Sequence, residues 1–276
     1  MKLQRNYILT LVAVITGLIV TACQKIEYPD PSPVATPANT SARVLFVNAT
    51  NAPALTTLIE NTPVGSALAP GATTAYLPIA TNSSQIRIKG AGGVLGAANL
   101  DLTAKQTFLA NTSYTVFVTD TISRPQIRNS VGNITDNGGI RFVTVTDNLT
   151  APAAGSAHVR FLNLAADTSP TSLRLQPTDP TSTTVTPTFN GRAFRSPTVT
   201  IGTGTTAVTT NFANFTPIPA GTYVTQLYAA AAAPTALTAT PATSTTLTVA
   251  AGKIYTVYAG GLRRTRTLNV GTVLHN

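Results

Sequence analysis

The sequence is poor in the residue types that usually carry chemistry. It holds one cysteine, Cys23, no tryptophan, and a single methionine at position 1. Charged residues make up 10% of its 276 residues, against about 25% in typical soluble domains. A lone cysteine excludes an internal disulfide and a cysteine-based metal cluster, so the protein must be stabilised by packing.

Acidic and imidazole side chains are also scarce. The chain has nine acids and two histidines, His158 and His275, whereas acid–base catalysis and metal binding need several such groups to converge. His158 lies in a predicted strand and is expected to be a sheet-face residue, and no Gly-x-Ser-x-Gly nucleophile elbow is present. We expect no enzyme, no metal and no cofactor. A hydrolase with a cryptic site around His158 is the alternative.

The formal net charge of +9 and the pI of about 10.1 reflect a shortage of acids. A nucleic-acid-binding protein would show basic residues clustered with aromatic platforms, and here they are dispersed. Only Arg263, Arg264 and Arg266 form a local group. This group is a candidate contact for a phosphate or an acidic glycan, although a charged edge strand that resists aggregation is the simpler interpretation.

The first residues have the pattern of an export signal. Lys2 and Arg5 form a short basic region, and residues 7–20 form an apolar run that ends in small residues before Cys23. Such a sequence is typical of a signal peptide. The apolar run is shorter than the roughly 20 residues that a membrane-spanning helix needs.

The segment Val20-Thr21-Ala22-Cys23 resembles the lipobox of bacterial lipoproteins. In that family the signal is cut just before the cysteine, which is diacylated. The resemblance implies a signal peptide over residues 1–22 and a lipid on Cys23, with a non-lipidated signal peptide as the alternative. Two or three acyl chains anchor a protein stably, because each buried CH₂ contributes about 0.8 kcal/mol. We expect a cell-envelope location, on the periplasmic or surface face of the outer membrane.

Residues 23–40 are predicted to be the lipidated N-terminus followed by a tether. Pro29, Pro31, Pro33 and Pro37 interrupt this stretch, which has no apolar periodicity. Proline-rich segments are extended and semi-rigid, so the tether is expected to hold the following domains away from the membrane.

The rest of the chain contains an internal repeat. Ser41-Ala42-Arg43-Val44-Leu45-Phe46-Val47-Asn48 resembles Ser156-Ala157-His158-Val159-Arg160-Phe161-Leu162-Asn163, and later landmarks recur in the same order. Tyr76-Leu77-Pro78-Ile79 corresponds to Phe215-Thr216-Pro217-Ile218. We predict two copies of one domain, at residues 41–150 and 157–276, joined by a linker over residues 151–156. The second copy carries a Thr/Pro-rich insertion around residues 177–204.

The apolar segments of both copies have strand character. Residues 85–89 alternate between polar and apolar, as a half-buried strand does, and no exported segment shows a sustained 3.6-residue period. Asn190-Gly191 predicts a two-residue type I′ hairpin turn. Gly202-Thr203-Gly204 superficially matches a dinucleotide fingerprint but has no helix after it, so it indicates a loop. The fold class is therefore all-β, with two tandem Ig-like β-sandwiches.

A second resemblance lies in the repeat. Residues 147–160 resemble the junction between tandem members of the family called domain of unknown function 4397 (DUF4397), and Ala42-Arg43-Val44 resembles the start of that domain. The family's usual His-Ala-Ser-Pro-Asp after the first strand is replaced here by residues 48–51 and 163–167. Any role of that histidine is therefore absent. The resemblance implies a cell-surface β-domain and supplies no chemistry.

These features favour a lipid-anchored, non-catalytic surface interaction module. Its partners are expected to be the membrane, through the lipid, and an envelope glycan or surface protein, with the Thr/Pro-rich insertion as the place of specificity. The alternative is a structural spacer or assembly subunit. Thr121 lies in Asp120-Thr121-Ile122, which resembles the acceptor for O-glycosylation in some bacterial secretory systems.

Overall fold

A computed structural model describes most of the chain after residue 40. The described ranges are residues 41–50, 54–65, 67–90, 102–120, 124–136, 139–166, 170–179, 181–182, 187–201, 208–229, 243–261 and 268–276. The predicted signal peptide, Cys23 and the tether lie outside these ranges. Residues 40–276 form one compact unit.

The first half of this unit is a sandwich of two four-stranded sheets. One sheet has the strand order β10-β7-β1-β4, and the other has the order β3-β2-β5-β6. A small hairpin, β8 and β9, precedes β10. The strands are β1 (Ser41–Asn48), β2 (Leu55–Ile59), β3 (Thr62–Pro63), β4 (Leu77–Ala80), β5 (Asn82–Gly90), β6 (Leu102–Phe108), β7 (Ser113–Thr119), β8 (Ile127–Arg128), β9 (Ile134–Asp136) and β10 (Arg141–Asp147).

The second half repeats the two four-stranded sheets strand for strand. Its sheets have the orders β16-β11-β19-β20 and β13-β12-β17-β18, and a hairpin of β14 and β15 is added. The strands are β11 (Ser156–Asn163), β12 (Thr171–Pro177), β13 (Thr188–Arg192), β14 (Thr198–Ile201), β15 (Val208–Asn211), β16 (Thr216–Pro219), β17 (Gly221–Tyr228), β18 (Thr243–Val249), β19 (Ile254–Gly260) and β20 (Asn269–Leu274).

The registers of the two halves also correspond. β1 runs parallel to β7 with Leu45 opposite Thr115, and β11 runs parallel to β19 with Arg160 opposite Thr256. All other pairings between the described strands are antiparallel. The all-β prediction of two tandem Ig-like β-sandwiches is confirmed.

Strand β1 shows how alternation divides the apolar residues between two interiors. Val44 and Phe46 point into the core of the first sandwich, whereas Leu45 and Val47 point to the opposite face. All four side chains are buried, because successive side chains of a strand project to opposite faces of the sheet. The dense apolar run therefore marks a strand that is covered on both faces, as its composition suggests.

The second apolar layer joins the two sandwiches. It combines Leu45, Val47, Phe117 and Val145 of the first half with Leu162, Leu164, Tyr258 and Val273 of the second. The rings of Phe117 and Tyr258, which occupy corresponding positions in β7 and β19, meet edge to face at 5.7 Å between centroids. A contact between corresponding residues is the signature of an isologous, two-fold-like interface.

The Asn190-Gly191 turn prediction is wrong. Both residues lie within β13, where the register with β12 shifts opposite Ser172. Gly191 has a φ of +66°, and its amide donates to Ser172 Oγ at 3.2 Å. A glycine in this conformation lets the strand continue through a β-bulge. A type I′ turn needs positive φ at both central residues, which Glu60 and Asn61 provide between β2 and β3.

Candidate binding groove between the two sandwiches

A buried ion pair lies at the centre of the junction. Arg160 of β11 and Asp147 of β10 come from different sandwiches, and their side chains are fully buried. Arg160 Nη2 donates to Asp147 Oδ1 at 2.5 Å. The Arg160 guanidinium also lies 4.4 Å from the centroid of the Phe215 ring. Because two charges lose much hydration on burial, such a pair is stable only when further hydrogen bonds satisfy its remaining atoms.

A chain of hydrogen bonds supplies those partners. Arg160 Nε donates to Thr256 Oγ1 at 2.7 Å, and Thr256 Oγ1 lies 2.7 Å from His275 Nε2. His275 Nδ1 lies 2.8 Å from the Tyr76 hydroxyl, which donates to Asp147 Oδ2 at 2.7 Å. The chain therefore leads from the guanidinium through two hydroxyls and an imidazole back to the carboxylate.

The donors in this chain assign the protonation of His275. The single proton of Tyr76 is used toward Asp147, so the proton between Tyr76 and His275 must be on Nδ1. Nε2 is then an acceptor for the hydroxyl of Thr256, and the imidazole is neutral. Burial lowers the pKa of His275 to about 4, which agrees with this assignment. Burial likewise raises the pKa of the Tyr76 phenol and lowers the pKa of Arg160.

Four pairs of corresponding positions build this network. By strand register, Leu45 corresponds to Arg160 and Thr115 to Thr256, while Tyr76 corresponds to Phe215 and Asp147 to His275. Thr115 Oγ1 also donates to Asp147 Oδ2, at 2.7 Å. The first copy supplies the carboxylate and the phenol, and the second supplies the guanidinium and the imidazole. Two identical copies would bring either two carboxylates or two guanidinium groups to this centre.

The same arginine fixes the distance between the sandwiches at the surface. Arg160 Nη1 donates to Thr146 O of β10 at 3.0 Å and to Ala213 O, which follows β15, at 3.1 Å. These two carbonyl groups belong to opposite walls of a groove that runs along the edge of β10. The buried network is therefore directly beneath the groove and holds its walls together.

The groove consists of two adjoining hollows that share Thr144 and Pro197. One has a volume of about 240 Å³ and the other about 430 Å³, in or near the roughly 300–1,000 Å³ range of ligand pockets. The lining is rich in hydroxyl and amide groups, has two aromatic rings, and has one charged residue, an arginine. It comprises Phe142, Val143, Thr144, Val145, Thr146, Asn148, Phe194, Arg195, Ser196, Pro197, Thr198, Asn211, Ala213 and Asn214.

A tight turn of the second sandwich forms one end of the groove. In this turn, residues 193–196, Ser196 N donates to Ala193 O at 3.2 Å and Arg195 N donates to Asn163 O at 2.8 Å. Asn163, the last residue of β11, is buried, and its side-chain amide donates to Arg192 O at 3.0 Å. Asn48 has the corresponding role in the first sandwich, with its amide donating to Leu68 O at 2.9 Å. These asparagines occupy the positions where the family resemblance led us to look for a histidine, and they anchor turns.

The sequence-based site predictions have different outcomes. Cys23, Thr121, Arg263, Arg264 and Arg266 lie outside the described residues, so their proposed roles stay predictions. The part of the predicted Thr/Pro-rich insertion that is described includes residues 193–198 of the groove.

The two histidines differ from the expectation. His158 is half-buried in β11, and no hydrogen bond or ion pair of its side chain occurs among the described residues. His275 instead joins the buried network, which sequence reasoning missed. The alignment of the two repeats contained a signal for this role, because it places His275 at the position of the acidic residue Asp147.

Two further findings concern the described part of the chain alone. No three His, Cys, Asp or Glu side chains are grouped there as a metal ion would require. No helix there is long and apolar enough to cross a membrane.

The fold and the junction define a tandem β-sandwich protein with a groove between its sandwiches. Residues 42–174 match the family described as Domain of unknown function (DUF4397). The match covers the first sandwich, β11 and the first residues of β12.

Other comparisons add little. No curated protein matches the sequence. Among solved structures, the chain is similar to the Bacillus anthracis TIE protein, with 8% identity and a TM-score of 0.18. The match covers 81% of this chain and 49% of that one, so this chain spans about half the length of that protein.

Proposed function

We propose that the protein is a lipid-anchored cell-envelope protein that binds an envelope ligand without catalysis, in the groove between its two sandwiches. The lipobox resemblance at Cys23 supports the anchor. The observation that carries the binding role is the bond pair from Arg160 Nη1 to Thr146 O and Ala213 O. A cleft whose two walls are fixed from below is preorganised, and preorganisation lowers the entropic cost of binding.

The geometry of the histidines supports a non-catalytic role over a hydrolase. His275 is buried, and both of its ring nitrogens are used within the network. A general base must reach a substrate proton directly or through one water. Neither His275 nor the half-buried His158 lines the hollows of the groove.

Retention of the non-acylated Cys23→Ala protein on washed cell envelopes, prepared from cells that lack the gene, tests the binding role, because no lipid then attaches the protein to the membrane. Thr198→Trp fills the groove from its exposed rim, and Thr246→Trp places the same ring on the exposed edge strand β18 as a matched control. In the Cys23→Ala background, we expect the protein without a further change and Thr246→Trp to be retained, and Thr198→Trp to be washed away. Equal retention of the two variants would refute the groove as the binding site.

A structural spacer is the second candidate, because the rigid junction would also suit a subunit that holds two surfaces apart. The two functions differ in their dependence on the groove. A spacer predicts that Thr198→Trp restores a gene-deletion strain as fully as the wild type does.

A further inference from the structure

One edge of the first sandwich faces the groove. β10 is the last strand of the sheet β10-β7-β1-β4, and an unbroken run of its residues, 142–146, lines the two hollows. Side chains of a strand alternate between two faces, so an unbroken run of lining residues means that the backbone itself borders the space. One wall of the groove is therefore the edge of a strand.

The hydrogen bond from Arg160 shows which backbone groups of β10 point into the groove. Thr146 O accepts from Arg160 Nη1, which belongs to the other sandwich, so this carbonyl is turned away from β7. In an antiparallel pair the N–H and C=O of one residue point the same way, and every second residue repeats that direction. Phe142 and Thr144 therefore turn both backbone groups toward the groove, as Thr146 does. Among the described residues, only Thr146 O of these groups has a hydrogen-bond partner.

β10 lacks the features by which proteins protect the edges of sheets. An unpaired edge strand can pair with another chain, and prolines, charged side chains or bulges usually prevent this. The opposite edge strand of the same sheet, β4, is four residues long and contains Pro78. Residues 142–146 include neither proline nor a charged residue, and β10 pairs with β7 without a register shift. The edge of β10 is thus able to accept a further strand.

The corresponding edge in the second sandwich, β20, has less space beside it. Its hollow has a volume of about 170 Å³ and is lined in part by Gly71. Gly71, with a φ of +78°, has the turn position that Arg195, with a φ of +58°, has in the second sandwich. Their amides donate to the carbonyls of the asparagines that end β1 and β11, respectively. The two edges therefore have equivalent places in the fold, but the space beside β10 is larger.

The hairpin of β14 and β15 forms the facing wall of the groove. Its two strands pair with each other in a sheet of their own, and Thr198 and Asn211 of the hairpin line the smaller hollow. The larger hollow, of about 430 Å³, is in the size range of ligand pockets. Such a space holds a short extended segment, whereas the hairpin keeps the folded edge of a second copy away from β10.

We propose that the groove binds an extended peptide segment of an envelope protein, which adds to the sheet as an antiparallel strand beside β10. Backbone hydrogen bonds to Phe142 and Thr144 provide the affinity, and alternate side chains of the segment provide the specificity. Side chains on the same face as Val143 and Val145 meet the apolar layer between the sandwiches, so these positions of the segment are apolar. This inference rests on the proposed function, since it names the class of ligand of the same groove.

Amide NMR titration of the isotope-labelled, non-acylated Cys23→Ala protein tests the proposal. The probe is a capped pentapeptide, Val-Thr-Val-Thr-Val, because both of its residue types favour extended strands. With the valines on the apolar face, the threonines are opposite residues such as Thr144 and turn their N–H groups to β10. We expect the amide signals of Phe142 and Thr144 to shift on titration.

Methylation of the peptide nitrogens distinguishes strand addition from other kinds of binding. N-methylation of the two threonines removes two hydrogen bonds to β10 and should weaken binding about tenfold or more. N-methylation of two valines changes groups that point away from β10 and should leave the affinity unchanged.

A proline in the edge strand tests the same contact from the side of the protein. Thr144→Pro removes an N–H that faces the groove, and edge strands accept proline where the N–H lies outside the ladder. Thr272→Pro is the matched control, because Thr272 has the corresponding position in β20. We expect Thr144→Pro to abolish binding of the unmethylated peptide and Thr272→Pro to preserve it. Thermal unfolding checks the fold of both, and Thr198→Trp, which leaves β10 unchanged, should also prevent binding.

Failure of the unmethylated peptide to shift the β10 amides, or equal effects of the two methylation patterns, would overturn the proposal. Shifts of the same amides that depend on protein concentration, without peptide, would overturn it in favour of a second copy of this chain. If envelopes retain the Cys23→Ala protein but not its Thr198→Trp variant while the peptide fails to bind, the proposed function stands and only this class of ligand is wrong.

Discussion

Arg160 Nη2 and Asp147 Oδ1 are 2.5 Å apart at the centre of the junction, and neither side chain is exposed to solvent. The two residues lie on strands from different sandwiches, so this ion pair is an interaction between domains as well as a buried charge pair. Beneath the groove, the same guanidinium bonds to the carbonyls of both walls. Stability of the junction and shape of the groove therefore depend on the same side chain.

Removal of one charge should be strongly destabilising. Asp147→Asn leaves the Arg160 guanidinium buried without its counter-ion, and breaking a buried pair in this way typically costs about 3–5 kcal/mol. Urea unfolding at neutral pH measures the free energy of unfolding. Asp179→Asn is the control and should unfold like the wild type, because Asp179 is exposed and its carboxylate accepts hydrogen bonds from the nearby Thr181.

The double variant Asp147→Asn/Arg160→Met provides a further check. It removes both charges, so it should lose clearly less stability than the sum of the two single changes. Additive losses would mean that the two side chains are not coupled.

Stability should fall as the pH is lowered through the range set by His275. Its folded pKa of about 4 is below the ordinary value of 6.5, so the unfolded state binds a proton first. The stabilisation is complete above pH 6.5 and is lost as the pH falls toward 4, by about 3 kcal/mol in total. Urea unfolding across this range should show that the free energy of unfolding falls with pH in the wild type. In His275→Gln this fall should be absent, although the free energy of unfolding is expected to differ from that of the wild type by an amount that does not depend on pH. Parallel curves for the two proteins would contradict the assignment.

The tautomer of His275 can be observed directly. Nitrogen-15 NMR of the imidazole at neutral pH should show a protonated Nδ1 and an unprotonated Nε2, because Tyr76 uses its proton toward Asp147. Tyr76→Phe removes the acceptor for Nδ1–H and should change the tautomer balance or the Nδ1 shift. A spectrum with the proton on Nε2 would show that the hydrogen bonds run in the opposite direction.

Corresponding turns should respond differently to substitution. Gly71→Ala should cost about 1 kcal/mol from left-handed strain alone, because the space around its Cβ position is empty. In Arg195→Gly the relief of strain opposes the greater freedom of glycine in the unfolded chain, and the net change should be within about 1 kcal/mol of zero. Thermal unfolding compares the two, and a larger loss for Arg195→Gly would show that its side chain stabilises the fold.

The lipid anchor is tested by mass spectrometry of membrane-extracted protein. We expect an N-terminal fragment that begins at an acylated Cys23, and no acylated fragment in Cys23→Ala. An unmodified soluble wild type would instead indicate a released binding protein.

Local patterns in the sequence determined the class of fold. Alternating residues, turn signals and the repeated motifs gave an all-β chain with two copies of a sandwich, because strand periodicity depends on neighbours in the chain. The dense run of apolar residues in β1 also predicted that both faces of this strand are buried. The prediction of a turn at Asn190-Gly191 was wrong because a glycine with positive φ occurs in a β-bulge as well as in a turn. Only the pairing of β13 with β12 distinguishes the two.

The site was decided by tertiary structure. Asp147 and His275 are 128 positions apart, and nothing local shows that β10 and β20 end beside the same arginine. The repeat shows that the two sandwiches resemble each other, but it does not show how they pack. In the structure they pack face to face, and one apolar layer contains Leu45, Phe117, Leu162 and Tyr258. The sequence by itself determined the strands and their repetition in two copies. The buried network and the groove above it depend on the association of two unlike copies, because a carboxylate from one copy meets a guanidinium from the other.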